Sequence, residues 1–215
     1  YPNSEIYKIP DSVTFEEASL IEPMACAVHT VQRAEIEFED VVVLAGAGTL
    51  GLSMTQLIKM KTPKKLIVLD LNEKRLDLAK KHGADLVINP AKEDAIKIVK
   101  DLTDGYGCDV YIEATGSPAG VKQGLEMVRK LGRFVEFSVF GEETTTDWSV
   151  IGDRKELDIR GSHLGPYTYP IVIDLLDRGL LSAEGFVAKT YHLEDFEEAL
   201  EEAHDKNNIK VLLKP

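Results

Sequence analysis

The residues of this chain whose types and spacing can do chemistry are the glycines of Gly46-Ala47-Gly48-Thr49-Leu50-Gly51 and, nineteen residues further on, Asp70. A first glycine permits a tight strand-to-helix turn, a second lets backbone amides approach a pyrophosphate, and a third lets the helix pack closely on the strand. Amides at the start of such a helix, aided by its dipole, hold an anion. Alone the glycine spacing is a weak signal, since the turn can merely join a strand to a helix. Here it follows an all-apolar run, Val41–Ala45, opens a helical stretch, and is followed by a second apolar run that ends in an acid, which together make a strong one. Asp70 is expected to accept hydrogen bonds from the adenosine ribose and to repel a 2′-phosphate, so the predicted cofactor is NAD rather than NADP. Arg75 is expected to stack on adenine. It could instead neutralise a 2′-phosphate, or simply face solvent beside Asp77 or Glu73.

Further candidates follow from where such a site sits, outside the carboxyl ends of the strands. Ala114 and Thr115 after the fourth strand, Ser138 and Val139 after the fifth, and Ser162 and His163 after the sixth are expected to line the path from adenine to nicotinamide, although each could be an ordinary loop residue. A separate trio, Glu22, Cys26 and His29, has helical spacing and three metal-competent side chains, with Pro23 at the helix start. Cys26 and His29 read more simply as core or hinge residues. Glu22, set in Leu20-Ile21-Glu22-Pro23-Met24, must face a metal, a basic group or water, because a lone buried carboxylate is costly.

The elements that must position these residues are legible as an alternation of short aliphatic runs and longer amphipathic stretches. Strands are expected at Val41–Ala45, Lys65–Leu69, Leu86–Ile88, 109–112, 133–138 and 157–161, with helices at 50–59, 72–82, 91–102 and 118–129. Six strands with intervening helices make a doubly wound, Rossmann-type parallel α/β sheet. Outside it, 6–10 reads as a strand, 11–17 as the capped start of a linking helix, 170–178 and 193–204 as helices, and 210–213 as a final strand with no obvious partner. The expected division is 1–16 as the end of another domain and linker, 17–164 as the NAD-binding domain, and 165–215 as segments returning toward that other domain.

Composition bounds the function. The chain has 215 residues, 44% of them hydrophobic and 29% charged, which suits a globular domain with a sizeable core. A formal charge of -12 disfavours nucleic acid and anionic membrane surfaces as partners. Two distant cysteines, Cys26 and Cys108, fit a reducing, cytoplasmic setting better than a disulfide scaffold. The opening Tyr1-Pro2-Asn3-Ser4 has no initiator Met and reads as an entry in mid-protein.

Taken together, Val13 to Ala18 leading into Leu20-Ile21-Glu22-Pro23, the glycine turn, Asp70 to Arg75, Lys81-His82-Gly83-Ala84-Asp85, and Gly107-Cys108-Asp109-Val110 to Gly116 resemble the zinc-dependent medium-chain alcohol and polyol dehydrogenases, near the sorbitol dehydrogenase branch. The resemblance implies hydride transfer between NAD and a zinc-bound alcohol or polyol. It maps Gly46, Gly48, Thr49, Leu50 and Gly51 onto the pyrophosphate turn, Asp70 onto the ribose acid, Arg75 onto an adenine-side arginine, Ser138 and Val139 onto nicotinamide contacts, and Glu22 onto an acidic position near the catalytic zinc. It also implies a homo-oligomer, dimer or tetramer, and a GroES-like N-terminal domain, carrying the other zinc ligands, ahead of Tyr1. The isolated chain is therefore expected to bind NAD without turnover. Two other readings are a stand-alone NAD-binding regulatory module and a zinc-free reductase of the same superfamily.

Overall fold

A computed structural model describes residues 6–205 and 207–215 of the chain. Its central feature is a six-stranded parallel sheet built from β1 (Val41–Ala45), β2 (Lys65–Leu69), β3 (Leu86–Ile88), β4 (Cys108–Glu113), β5 (Val128–Glu136) and β6 (Asp158–Gly161), in the spatial order β3-β2-β1-β4-β5-β6. That is the doubly wound order, reversing direction between β1 and β4. Period-two alternation divides each strand between two cores. Val42 and Leu44 of β1 join Leu66, Val68, Val110, Ile112 and Val135 on one face, while Val41, Val43 and Ala45 join Ile67, Leu69, Tyr111 and Phe134 on the other. Both faces are covered, which is why the strands read as unbroken apolar runs.

Helices α2 (Ile21–Ala34), α3 (Thr49–Met60), α4 (Glu73–Lys81) and α7 (Tyr169–Asp177) contribute to the first core, and α5 (Ala95–Leu102) and α6 (Pro118–Met127) to the second. Their starts follow capping chemistry. The Asn72 side chain accepts from Lys74 N and Arg75 N, Asp94 from Lys97 N, and Ser117 from Ala119 N just ahead of Pro118. The short α1 (Phe15–Ala18) opens with a capping box in which Thr14 and Glu17 satisfy each other's backbone amides.

Several expectations are corrected. Residues 6–10 form no strand, and the linking helix begins at Phe15, where the capping box sits, rather than at 11. Helix α5 starts at Ala95 because Asp94 caps it, not at 91. Helix α6 stops at Met127 and β5 starts at Val128, ahead of the expected 133, because Lys155 Nζ donates to the carbonyls of Leu125 (2.7 Å), Glu126 (2.9 Å) and Val128 (2.6 Å) and ends the helix there. The final strand β8 (Lys210–Lys214) does have a partner, β7 (Val187–His192), parallel to it and linked through α8 (Phe196–Ala203). Strand β7 has no buried position, so its Val-Ala-Lys-Thr-Tyr-His sequence lacks the apolar run that marks the main-sheet strands.

Asp85, in the loop between α4 and β3, ties that loop to β2 and α3, accepting from Leu66 N (2.8 Å) and pairing with Lys59 Nζ (2.6 Å). Burial opposes its ionisation, but the Lys59 ammonium and the Leu66 amide outweigh this and hold its carboxyl below the usual range. A folded-state pKa below the unfolded one adds stability above the unfolded value of about 3.9 and loses it as pH falls through the folded value. Urea unfolding from pH 6 down to about pH 3 should therefore fall less steeply with pH in Asp85→Asn than in the parent; equal slopes would refute the assignment.

Candidate nucleotide-binding site

The glycine turn sits where β1 meets α3, at the carboxyl edge of the sheet beside the reversal in strand order. Gly46 adopts φ +103°, a left-handed conformation that favours glycine, and a Cβ there would come 2.5 Å from Ala114 O. A Cβ on Gly51 would overlap Gly46 O, so the third glycine lets the first turn of α3 sit directly on the strand end. Gly48 differs, because around it only the Arg75 guanidinium comes as near as 4.0 Å. It is the N-cap of α3 and brings no side-chain cap, so the approach to the helix start is open there.

Gly46 and Gly48 open onto a cleft of about 1100 Å3, whose other walls include Asp70, Asn72, Arg75, Ala114, Thr115 and Gln123. Asp70 does more than face the cleft. Its Oδ2 accepts from Ala47 N (2.7 Å) and its Oδ1 from Asn72 N (2.8 Å), so one carboxylate ties the glycine turn to the loop after β2. Each oxygen keeps a further lone pair for a hydroxyl.

Of the residues singled out by sequence, Gly46, Gly48, Asp70, Arg75, Ala114 and Thr115 come together in the cleft lining. Gly51 lies buried behind it and Leu50 packs against the core. Thr49 turns to the C-terminal segment, its hydroxyl donating to Ile209 O (3.1 Å). Ser138, Val139 and Ser162 lie outside the lining, further along the same sheet edge: Ser138 Oγ donates to Glu113 O (3.3 Å), Val139 is 93% exposed, and Ser162 shares a hydrogen bond with Thr30 (3.0 Å).

A family model described as zinc-binding dehydrogenase matches residues 49–178. The chain belongs to the zinc-binding dehydrogenase family. It is 47% identical over 211 residues to the erythritol/L-threitol dehydrogenase of Mycolicibacterium smegmatis, covering 98% of this chain and 58% of that protein. A solved structure described as a short chain alcohol dehydrogenase from E. coli CFT073, complexed with NADH, superposes with a TM-score of 0.88 at 29% identity, over 97% of this chain and 62% of the other. Another, from Sinorhizobium meliloti 1021 and bound to NADP, gives a TM-score of 0.90 at 25% identity, over 97% and 62%. The chain thus spans about 60% of the length of the relatives it matches. A nicotinamide cofactor suits the family, and the open N-terminus of α3 at Gly48 fits its pyrophosphate.

The family's metal fits less well. Among the described residues no three of His, Cys, Asp and Glu converge on a point where an ion would bind. Glu22 is exposed on the first turn of α2 and accepts from Cys26 Sγ (3.4 Å). Burial, and then the Glu22 charge, push the Cys26 thiol up to about 11, so with no metal beside it the thiol is protonated at neutral pH and donates to Glu22. Burial, then Arg33, lower the pKa of His29.

The residues that sequence reasoning missed come from two places. Ser117 and Gln123 reach the cleft because α6 begins at the same sheet edge as α3, a placement implied by any helix that follows β4. Asn207 reaches it from the C-terminal segment, where its Oδ1 accepts from Asn72 Nδ2 (3.2 Å), and no local signal marks that contact. No described helix is long and apolar enough to cross a membrane.

Proposed function

We propose that this chain is the nucleotide-binding portion of an NAD-dependent oxidoreductase that moves a hydride between NAD and a small alcohol or polyol. One observation carries the reading: an uncapped, unobstructed helix N-terminus at Gly48 faces Asp70 across a single cleft. The pyrophosphate would sit on the α3 amides, with the helix dipole offsetting the strongly acidic net charge. Asp70 would accept from the ribose hydroxyls and disfavour a 2′-phosphate, and Arg75 would lie along adenine. Ser138 and Val139 are proposed on the nicotinamide side. NAD bound in this way supplies the hydride acceptor; this chain's residues bind it, orient it and hold the turn rigid.

Polyol chemistry is proposed from the erythritol/L-threitol dehydrogenase relative. Residues 17–164 are proposed as the cofactor-binding unit, with 1–16 and 165–215 leading to a substrate domain. Because the described residues assemble no zinc site, the metal's ligands would come mostly from outside this sequence, and Glu22 is the one position here proposed to face it. The chain by itself is therefore proposed to bind NAD without turnover. Exposed Val139, Leu164 and Tyr167, grouped beside the ends of β5 and β6, favour a covered surface over a stand-alone module.

Calorimetric titration of the 215-residue chain with NADH and NADPH tests the reading. NADH should bind at least about tenfold more tightly, a difference of about 1.4 kcal/mol, and a separate assay with the oxidised cofactor NAD, zinc and a polyol should show no oxidation. Equal affinities would remove the NAD preference, and turnover would remove the claim that the chemistry lies elsewhere.

A further inference from the structure

Two glutamates end adjacent strands of the main sheet. Glu113 is the last residue of β4, Glu136 the last of β5, and the two are register partners. Neighbouring strands lie about 4.8 Å apart, and side chains in register project from the same face, so both glutamates leave one face of adjacent strands. Like charges so placed repel, and partial burial adds to the cost of ionising both.

Their surroundings are unequal. Glu113 is fully buried, and its oxygens accept from Thr115 N (2.9 Å), the Thr115 hydroxyl and Gly116 N (3.3 Å), an acceptor-only set that suits the ionised form. Glu136 Oε1 is buried with no hydrogen-bond partner, the position at which a proton relieves the repulsion. Burial, and then the Glu113 carboxylate, push the Glu136 carboxyl above its usual range, while the Ser138 amide pulls the other way. No other charge competes closely. From β6 the register partner is Gly161, and Arg160 and Asp158 are engaged in their own ion pair (2.7 Å). The first turn of α6, residues 118–121, carries no charge, and Glu142, Glu143 and Asp147 of the following loop are exposed.

The pair braces two cleft-edge loops. Glu113 fixes Thr115 and Gly116 through its side chain and Ser138 through its carbonyl. The loops interlock, since a Cβ on Gly116 would come 2.7 Å from Val139 O. We infer that Glu136 is a positioning residue: protonated near the Glu113 carboxylate, it leaves the loops at 115–116 and 138–139 in their cofactor-receiving arrangement, and loss of that proton weakens dinucleotide binding. The inference rests on the nucleotide reading of the cleft above, and it adds a pH linkage to that site. Neither glutamate is among the cleft-lining residues.

Two measurements test it, one independent of cofactor. Infrared spectroscopy of the unliganded chain at rising pH should show the carbonyl stretch of one protonated carboxyl persisting above the pH at which the others are lost, and Glu136→Gln should lack it. NADH titrations through the pH at which that band disappears should lose roughly tenfold in affinity in the parent, the ratio corresponding to one pKa unit of linkage, and stay nearly flat in Glu136→Gln. Should that variant fail to fold, Glu113→Gln replaces it; removing the neighbouring charge should shift the band's disappearance to lower pH. A parent without the persistent band, or parent and variant titrations that run parallel, would overturn the inference. Absence of NADH binding at every pH would overturn both the nucleotide reading and the linkage, and the infrared band would then show whether the proton is held for a purely structural reason.

Discussion

Gly51→Ala is expected to lower stability by about 3 kcal/mol or more, on the order of 10 °C in melting temperature, because its Cβ would overlap the Gly46 carbonyl and both atoms belong to backbone that cannot move independently. Gly48→Ala is the contrast. Its Cβ would enter open space and its φ of -73° suits any residue, so the fold should lose less than about 1 kcal/mol, the scale of an N-cap change. Affinity for NADH should still fall, and fall further in Gly48→Val, because the added carbons occupy the place where the pyrophosphate would meet the helix amides. Thermal unfolding and NADH titration of the three variants separate the effects. Similar melting temperatures for Gly51→Ala and Gly48→Ala would contradict the packing argument, and undiminished binding by Gly48→Val would contradict the ligand placement.

Asp70→Ala is expected to weaken NADH binding by about 2 kcal/mol, close to thirtyfold in Kd, since it removes the proposed ribose acceptor and also the two hydrogen bonds that hold Ala47 and Asn72. The two losses can be told apart. Asp70→Asn keeps one acceptor oxygen, and so part of the brace, but loses the charge that would repel a 2′-phosphate. It should retain more of the parent's stability than the alanine variant while closing the gap between NADH and NADPH. If Asp70→Asn kept the parent's full preference for NADH, the discrimination would have to come from another residue on the cleft wall.

Much of this arrangement is legible without coordinates, for identifiable reasons. Strands β1, β2 and β4 are buried on both faces, so their runs of Val, Leu and Ile cannot be mistaken for amphipathic elements. Asn72 and Ser117 mark helix starts because their short side chains satisfy amides that the helix itself cannot, whereas Asp94, which does the same for α5, lies inside a stretch that reads as helix from 91. The site's turn is legible because glycine is demanded by close approach at Gly46 and Gly51 and by open approach at Gly48. Illegible features depend on partners remote in sequence. Nothing near Lys155 shows that its ammonium covers three carbonyls at the end of α6, and nothing within 187–192 marks a strand until β8 is laid beside it.

By itself, then, the sequence determined the parallel α/β sheet, the glycine turn and the acid after β2, because each is encoded in local periodicity or in a single residue's conformational freedom. Tertiary structure alone decided that Asp70 braces the turn it serves, that Asn207 reaches the cleft and Ile209 meets Thr49 from the chain's far end, and that Glu113 and Glu136 are register partners on adjacent strands. Each of those facts is a distance between elements. Strand register and sheet order set such distances, and no short stretch of sequence contains them.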